Sequence, residues 1–217
     1  MRLAIVLAEF EKAAPDVSQY RQCWPDADIH VFGDSDVPRY PQFEGPRYGW
    51  RANDYWTVRK ALDCGADVAI CVDADMRIVD MSAMRMLPLI SQRFGVCLPL
   101  NPRYIVERDY RDGADTAGFA RTALDAFTIS VNCSPVAINL NNEESVALAE
   151  AYCEVMLANP MRGPLAWTDA MHETGVVPMI LPPQWCVCER HIGIGNEIMI
   201  HEGHEAVKRH YAAFPTR

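Results

Sequence analysis

Two carboxylates stand one residue apart, at Asp73 and Asp75, directly after the apolar run Val68–Val72. A continuous apolar run of this length is typical of a parallel strand covered on both faces. In an open parallel sheet the ligand crevice lies beyond the carboxyl ends of the strands, so both side chains are expected at its edge. There they can converge on one ion, or on an ion and a ribose hydroxyl. Hard oxygen ligands suit Mg²⁺ or Mn²⁺, and these cations also accept substrate phosphates.

A third ligand is sought among the histidines near the end of the chain. His201 follows the apolar segment Ile198–Ile200, and His204 lies three residues further on. An imidazole at a strand end can reach the same crevice edge as the two carboxylates. The residue types do not choose between the two histidines, and a water-exposed histidine is the alternative for either.

Four polar residues lie on or just before a helix predicted over 52–64, namely Arg51, Asn53, Asp54 and Lys60. Cationic side chains there can contact a diphosphate, and Asn or Asp can contact a base or a ribose. The alternative is a charged helix N-terminus with Asn53 or Asp54 near the cap.

The elements that must position these side chains follow from hydrophobic periodicity. Strands are predicted over 2–8, 28–33, 67–73, 94–98, 135–140, 176–181, 184–188 and 197–200. Helices are predicted over 12–22, 52–64, 81–90, 116–127, 143–158 and 167–174, and 99–115 is expected to be a loop. The β-α-β-α-β opening predicts an α/β fold with a mostly parallel central sheet flanked by helices.

Composition narrows the function classes. The chain has 217 residues and a formal net charge of −9, which disfavours a broad nucleic-acid-binding surface. We read no secretory signal and no membrane-spanning stretch, so a cytoplasmic location with eight reduced cysteines is expected. Nothing in the sequence indicates an oligomeric state.

The segment Ala61–Asp75 resembles the glycosyltransferases of the GT-A fold, in which a helix leads into a strand that ends on a metal-binding Asp-x-Asp. Later segments resemble the family-eight branch, which contains glycogenin-like and galactosyltransferase-like enzymes. The matching segments are Val131–Asn139, Trp167–Asp169, Leu181–Trp185 and Ile198–His201.

The resemblance implies one Rossmann-like GT-A domain over 1–217, with a nucleotide-sugar-binding half at 1–100 and an acceptor-side half with a metal-binding tail at 101–217. It implies a UDP-sugar donor, held with Mn²⁺ or Mg²⁺ by Asp73, Ala74 and Asp75. His201 is then favoured as the third ligand.

The same resemblance places further residues at the site. Ala8 and Glu9, which end the first strand, would lie near the nucleotide base. Asp169 would orient the acceptor or act as a general base, although an Asp that caps a helix is the alternative. Trp167 and Trp185 could stack on a sugar or belong to the core. Tyr104, Arg108 and Arg111 fall in the long loop, where a lid or acceptor loop is possible.

Two other functions stay open at this point. A nucleotidyltransferase shares the sheet and the carboxylate-metal arrangement, but usually carries a Gly-rich basic loop after its first strand. The segment Ala8–Lys12 is not such a loop. The other alternative is a binding protein that keeps the fold without turnover.

Overall fold

The computed structural model describes residues 1–10, 14–45, 48–105, 129–158, 163–189 and 191–213. Within them, seven strands form one sheet. They are β1 (Leu3–Ala8), β2 (Asp28–Phe32), β3 (Val68–Asp73), β5 (Cys97–Ile105), β6 (Ile129–Val131), β7 (Val136–Asn139) and β8 (Met179–Leu181). A separate two-stranded sheet consists of β4 (Met76–Ile78) and β9 (Met199–His201).

The large sheet has the strand order β2-β1-β3-β7-β5-β6, and β8 pairs with β5. Strand β1 is parallel to β2 and β3, β7 is antiparallel to β3 and β5, and β8 is parallel to β5. Five of the seven strands in the described sheet therefore run in one direction, while β6 and β7 run in the other. The predicted α/β class with a mostly parallel sheet is confirmed.

Helices cover the sheet. They are α1 (Ser18–Cys23), α2 (Tyr48–Asp63), α3 (Met81–Met84), α4 (Leu87–Phe94), α5 (Glu143–Ala158), α6 (Gly163–Thr174) and α7 (Glu205–Ala213). Helix α5 has the predicted bounds, and Asn142 caps it by accepting the Ser145 N–H at 2.8 Å. Gly65 has a φ of +68° just beyond the end of α2, where a glycine avoids the strain of a left-handed conformation.

The core lies on both faces of the sheet, as the alternation of β1 shows. Ala4, Val6 and Ala8 belong to one buried cluster, while Leu3, Ile5 and Leu7 belong to the other. Because every residue of β1 is buried, this strand is fixed on both sides. The same holds for β3 up to Asp73, the first residue of that strand that water reaches.

Several predicted boundaries are wrong. Residues 99–105, expected in a loop, continue β5, whereas Phe94 ends helix α4 instead of starting a strand. The helix expected over 81–90 is divided into α3 and α4, and among the described residues of 12–22 the helix begins only at Ser18.

The strand predicted over 184–188 is also wrong. Pro183–Trp185 form a 3₁₀ turn, in which the Trp185 and Cys186 N–H groups donate to the carbonyls of Pro182 and Pro183. Pro182 and Pro183, directly before the predicted strand, have a fixed φ and no N–H for a strand ladder. Only Val187 makes a bridge, to Ile200.

Part of the predicted organisation lies outside the described residues. This applies to the helix over 116–127, to the loop beyond residue 105, and to Arg108 and Arg111. In the portion of the chain that the structure does describe, no helix has the length and apolar character needed to cross a membrane.

Candidate metal centre and active site

Asp73, Asp75 and His201 come together at the carboxyl end of β3. One ligand atom from each residue lies within 4.8 Å of the others. His201 Nε2 is 3.1 Å from an Asp75 carboxylate oxygen and 3.9 Å from one of Asp73. The three side chains are between 15% and 27% exposed, so the group is partly buried and still open to a ligand.

Asp73 is held by two neighbours from different elements. The side-chain amide of Asn53, on helix α2, donates to Asp73 Oδ1 at 2.7 Å. The backbone N–H of Asp73 donates to Ser134 Oγ at 3.0 Å. Asn53 is only 3% exposed, and a buried amide in this position fixes which carboxylate oxygen faces the crevice.

The small sheet brings Asp75 and His201 together. Met76, the residue after Asp75, pairs with His201 in the antiparallel register of β4 and β9. The Glu202 N–H donates to the Asp75 carbonyl at 2.8 Å, and the His201 N–H donates to the Val187 carbonyl at 2.9 Å. The backbone contacts therefore align the two side chains before any ligand binds.

His204 lies beside this group, not in it. Its ring centroid is 4.9 Å from that of His201, and its Nδ1 is 3.9 Å from a Glu189 carboxylate oxygen. Its side chain is 42% exposed, twice the 21% of His201. The geometry thus groups His201 with the two carboxylates.

The chemistry of these three groups fits a divalent cation. Two carboxylates and a neutral imidazole provide hard oxygen and borderline nitrogen ligands, which suit Mg²⁺ or Mn²⁺. Burial raises the pKa of the Tyr20 phenol far above its ordinary value, and the charges of Asp73 and Asp75 add to that shift. The nearby carboxylate charges that add to this shift would also attract a cation.

Ala8 and Glu9 lie next to this centre, at the end of β1. Ala8 pairs with Asp73 on one side and with Phe32 on the other. The Glu9 side chain extends along Gly33, just beyond β2. The Lys60 ammonium is 5.9 Å from the centroid of the Phe32 ring. This edge of the sheet is where the topology predicted a nucleotide base, and its use by a ligand stays a prediction.

Asn53 and Asp54 do not cap a helix, because α2 already includes Tyr48. The Asp54 carboxylate accepts the backbone N–H of Gly163 at 3.2 Å, at the first described residue of α6. A negative charge at this position is stabilised by the positive N-terminal end of the helix dipole. Arg51 donates to the Glu44 carbonyl at 3.4 Å. Contact of Arg51, Asn53 or Asp54 with a nucleotide stays a prediction.

Asp169 lies inside helix α6 and not at its start, so the cap alternative is wrong. The helix begins by Gly163, and Pro164 fits its first turn because the missing N–H costs nothing there. Asp169 is 1% exposed, on a helix that packs against α5, α2 and β6. Its role toward an acceptor stays a prediction.

The two tryptophans belong to the core. Trp167 is fully buried and stacks on Tyr152 with ring centroids 4.1 Å apart. Trp185 is 6% exposed and belongs to the buried cluster that contains Ile5 of β1 and Ile70 of β3. Both indoles are therefore placed for packing within the protein, the second of the two alternatives that the sequence left open.

Sequence reasoning missed three residues that lie beside the candidate ligands or contact the adjoining strand β4. Ser134 accepts the Asp73 N–H, and it stands inside the segment that carries the resemblance. The Gln19 side-chain amide donates to the Met76 carbonyl at 2.9 Å and accepts the Ile78 N–H at 2.7 Å, along the edge of β4 that does not pair with β9. Gly203 passes directly over the Asp75 carboxylate. A glycine two residues after a candidate ligand was the one available signal.

Comparison with known proteins supports the fold. No protein-family model matches the chain, and no curated protein matches it. Among solved structures, it is similar to a glycosyltransferase involved in glycosylation of the major capsid of PBCV-1, at 8% sequence identity and a TM-score of 0.56. The match covers 98% of each chain. The chain therefore has a glycosyltransferase-like fold over nearly its whole length.

Proposed function

We propose that this chain is a metal-dependent glycosyltransferase, which moves a sugar from a nucleotide-diphosphate donor to an acceptor hydroxyl. The observation that carries the proposal is the convergence of Asp73, Asp75 and His201 at the carboxyl end of β3. Ligands bind at this edge in open α/β sheets, and the fold is one that a glycosyltransferase also has. Because one fold can host many reactions, the proposal depends on the residues of the site.

Asp73, Asp75 and His201 would hold Mn²⁺ or Mg²⁺. When bound, the cation supplies positive charge that stabilises the diphosphate as its bond to the sugar breaks. Asn53 keeps one oxygen of Asp73 occupied, which leaves the other oxygen for the cation. In this proposal Ala8 and Glu9 would lie near the base of a UDP-sugar, and Lys60 and the Asp73-Ala74-Asp75 turn would contact its diphosphate.

The transfer breaks the bond between the anomeric carbon and the diphosphate oxygen, which leaves with the electron pair. The acceptor oxygen bonds to the anomeric carbon, and its proton passes to a base. We assign the acceptor side to residues 101–217, including Asp169, and the donor side to residues 1–100. This division and the likeness to the family-eight branch follow from the sequence.

A donor screen tests the proposal. The purified chain is incubated with a panel of nucleotide-sugars and Mn²⁺, and release of free nucleotide diphosphate is measured. Slow hydrolysis of one donor, with UDP-sugars expected first, supports a glycosyltransferase. Release of pyrophosphate from a nucleoside triphosphate and a sugar phosphate would support a nucleotidyltransferase instead. Saturable donor binding without turnover would support a binding protein.

The acceptor side is tested with Asp169→Asn. We expect donor binding within a few-fold of the wild type and transfer reduced by about 10²-fold or more, the scale of lost acid–base assistance. Glu173→Gln is the matched control, because Glu173 lies on the same helix and is exposed. If Asp169→Asn keeps normal turnover, the residue is structural, and the next carboxylates to test are Glu107, Asp109 and, where Glu173→Gln itself loses transfer, Glu173.

A further inference from the structure

Gly203 makes an unusually close approach to the candidate metal centre. A Cβ added to it would overlap an Asp75 carboxylate oxygen and would lie 3.0 Å from Asp75 Cγ and 3.2 Å from His201 Nε2. Favourable contacts between carbon atoms are about 3.5–4.0 Å apart, so even a methyl group does not fit. A side chain at position 203 would therefore collide with Asp75 and crowd His201, two of the three candidate ligands.

Backbone conformation does not explain why this residue is a glycine. Six other glycines of the described chain have positive φ, namely Gly45, Gly65, Gly95, Gly175, Gly193 and Gly195. Gly203 is not among them, so an alanine can adopt its φ without strain. What excludes a side chain at position 203 is the Asp75 carboxylate.

The segment around Gly203 is held on both sides and has little room to move away. Before it, the Glu202 N–H donates to the Asp75 carbonyl at 2.8 Å, and the Glu202 carboxylate pairs with Arg77 at 2.6 Å. After it, helix α7 begins at Glu205, and the Val207 N–H donates to the His204 carbonyl at 3.0 Å. The flexible partner in any clash is thus the Asp75 side chain, which would rotate away.

We infer that Gly203 is a positioning residue of the metal centre, whose missing side chain is what allows Asp75 and His201 to face one ion. The inference rests on the metal site of the proposed function, and it adds a residue that touches no metal itself. Gly203→Ala is expected to turn the Asp75 carboxylate out of the site and to leave the fold intact.

The test measures metal binding and stability separately. Calorimetric titration with Mn²⁺ alone should show an affinity at least about tenfold lower in Gly203→Ala, the size of effect seen when groups that orient ligands are lost. The thermal midpoint should stay close to that of the wild type. With Co²⁺ as the probe, the visible absorption spectrum should change in Gly203→Ala, because the ligand geometry differs.

Gly33→Ala is the matched control. Gly33 also lacks positive φ, and the three atoms nearest its added Cβ all belong to the flexible Glu9 side chain, the first at 3.2 Å. It should keep wild-type Mn²⁺ affinity. In an Asp75→Ala background, Gly203→Ala should add little further loss, because residues that act through one group are not additive.

The outcomes separate this inference from the proposed function. Wild-type Mn²⁺ affinity and an unchanged Co²⁺ spectrum in Gly203→Ala would overturn the role of Gly203 alone. Full additivity with Asp75→Ala would overturn it as well, since the glycine would then act elsewhere. If the wild-type chain bound neither Mn²⁺ nor Mg²⁺, the metal-dependent function would fail first.

Discussion

Asp73 and His201 face each other from two parts of the molecule that are built differently. Asp73 ends a strand of the seven-stranded sheet, in which the preceding five residues of β3 are buried. His201 ends a three-residue strand that pairs with one other short strand. Two-stranded units are marginally stable alone, so the second ligand depends on local contacts to a degree that the first does not.

The positions of Asp73 and His201 are fixed by different kinds of contact. On the large sheet, position follows from a core that would exist without any ligand. On the small sheet, the positions of Asp75 and His201 depend on a few local interactions. These are the Gln19 hydrogen bonds along β4, the His201 N–H bond to the Val187 carbonyl, and the space left by the missing side chain of Gly203. Substitutions near the small sheet should therefore lower metal affinity with little loss of stability, whereas substitutions on the large sheet should lower both.

The largest effect is expected from Asp75→Ala, at the junction of the two sheets. Mn²⁺ affinity should fall by at least about 100-fold. Loss of a residue that only orients a ligand already costs up to that much, and Asp75 is itself a candidate ligand. The thermal midpoint of the metal-free protein should hardly change, since Asp75 is outside the core. Calorimetry together with a thermal melt checks both. Retained affinity would show that the cation binds elsewhere.

The next largest effect is expected from His201→Ala, on the small sheet. Its Mn²⁺ affinity should fall by about 10–100-fold, whereas His204→Ala should bind nearly as the wild type does. Wild-type affinity should also decrease on acidification, because a protonated imidazole has no lone pair for a metal. The reverse order of the two variants in a titration would make His204 the ligand.

A smaller effect on affinity, combined with a loss of stability, is expected on the large-sheet side. Asn53→Ala removes a hydrogen bond to a carboxylate, which should cost about 1.5–3 kcal/mol of unfolding free energy. Mn²⁺ affinity should fall about tenfold as Asp73 loses its fixed orientation. Denaturant unfolding and calorimetry measure the two quantities.

Asn139→Ala provides the control for that variant. Asn139 is another buried amide, and it donates to the Gln92 carbonyl at 3.0 Å, at the opposite end of β3. It should lose stability and keep its metal affinity. Equal losses of affinity in both variants would mean that the whole sheet, and not the Asn53 contact, controls the site.

The smallest effect is expected from Arg77→Gln, which breaks the ion pair with Glu202 on the small sheet. Both side chains are more than one-third exposed, and solvent screens such pairs, so stability should fall by less than about 1 kcal/mol. Chemical denaturation with and without 0.5 M salt, about three times the physiological ionic strength, checks it. A large loss would show that the small sheet depends on this pair.

The same contrast explains what the sequence could predict. Asp73 and Asp75 were identified because a buried strand followed by acids is a local pattern. His201 needed the family resemblance, since its approach to Asp75 is a tertiary contact between distant segments. The hydrogen bond from Asn53 to Asp73 is likewise a tertiary contact that the sequence does not show, and contact of Asn53 with a nucleotide stays a prediction.

The errors also have local physical causes. The run before Val187 is apolar but starts with two prolines, which deny it a strand ladder. Asp169 was placed near a helix start because the helix prediction began at Trp167, although Pro164 already marked an earlier first turn. Gly203 carried no periodic signal, and its role becomes visible only when the distance to Asp75 is measured.

The pairing of β4 with β9 has a consequence for local opening of the native protein. The Val79 N–H, bonded to the Ile198 carbonyl, and the Glu202 N–H, bonded to the Asp75 carbonyl, should exchange with solvent faster than the amides of β3. An ion held by Asp75 and His201 must dissociate before these strands separate. At about 100 times its dissociation constant, it should add about 2.7 kcal/mol to the opening free energy and slow their exchange about 100-fold. Hydrogen–deuterium exchange with and without Mn²⁺ would then report occupancy of the centre without any knowledge of the donor or the acceptor.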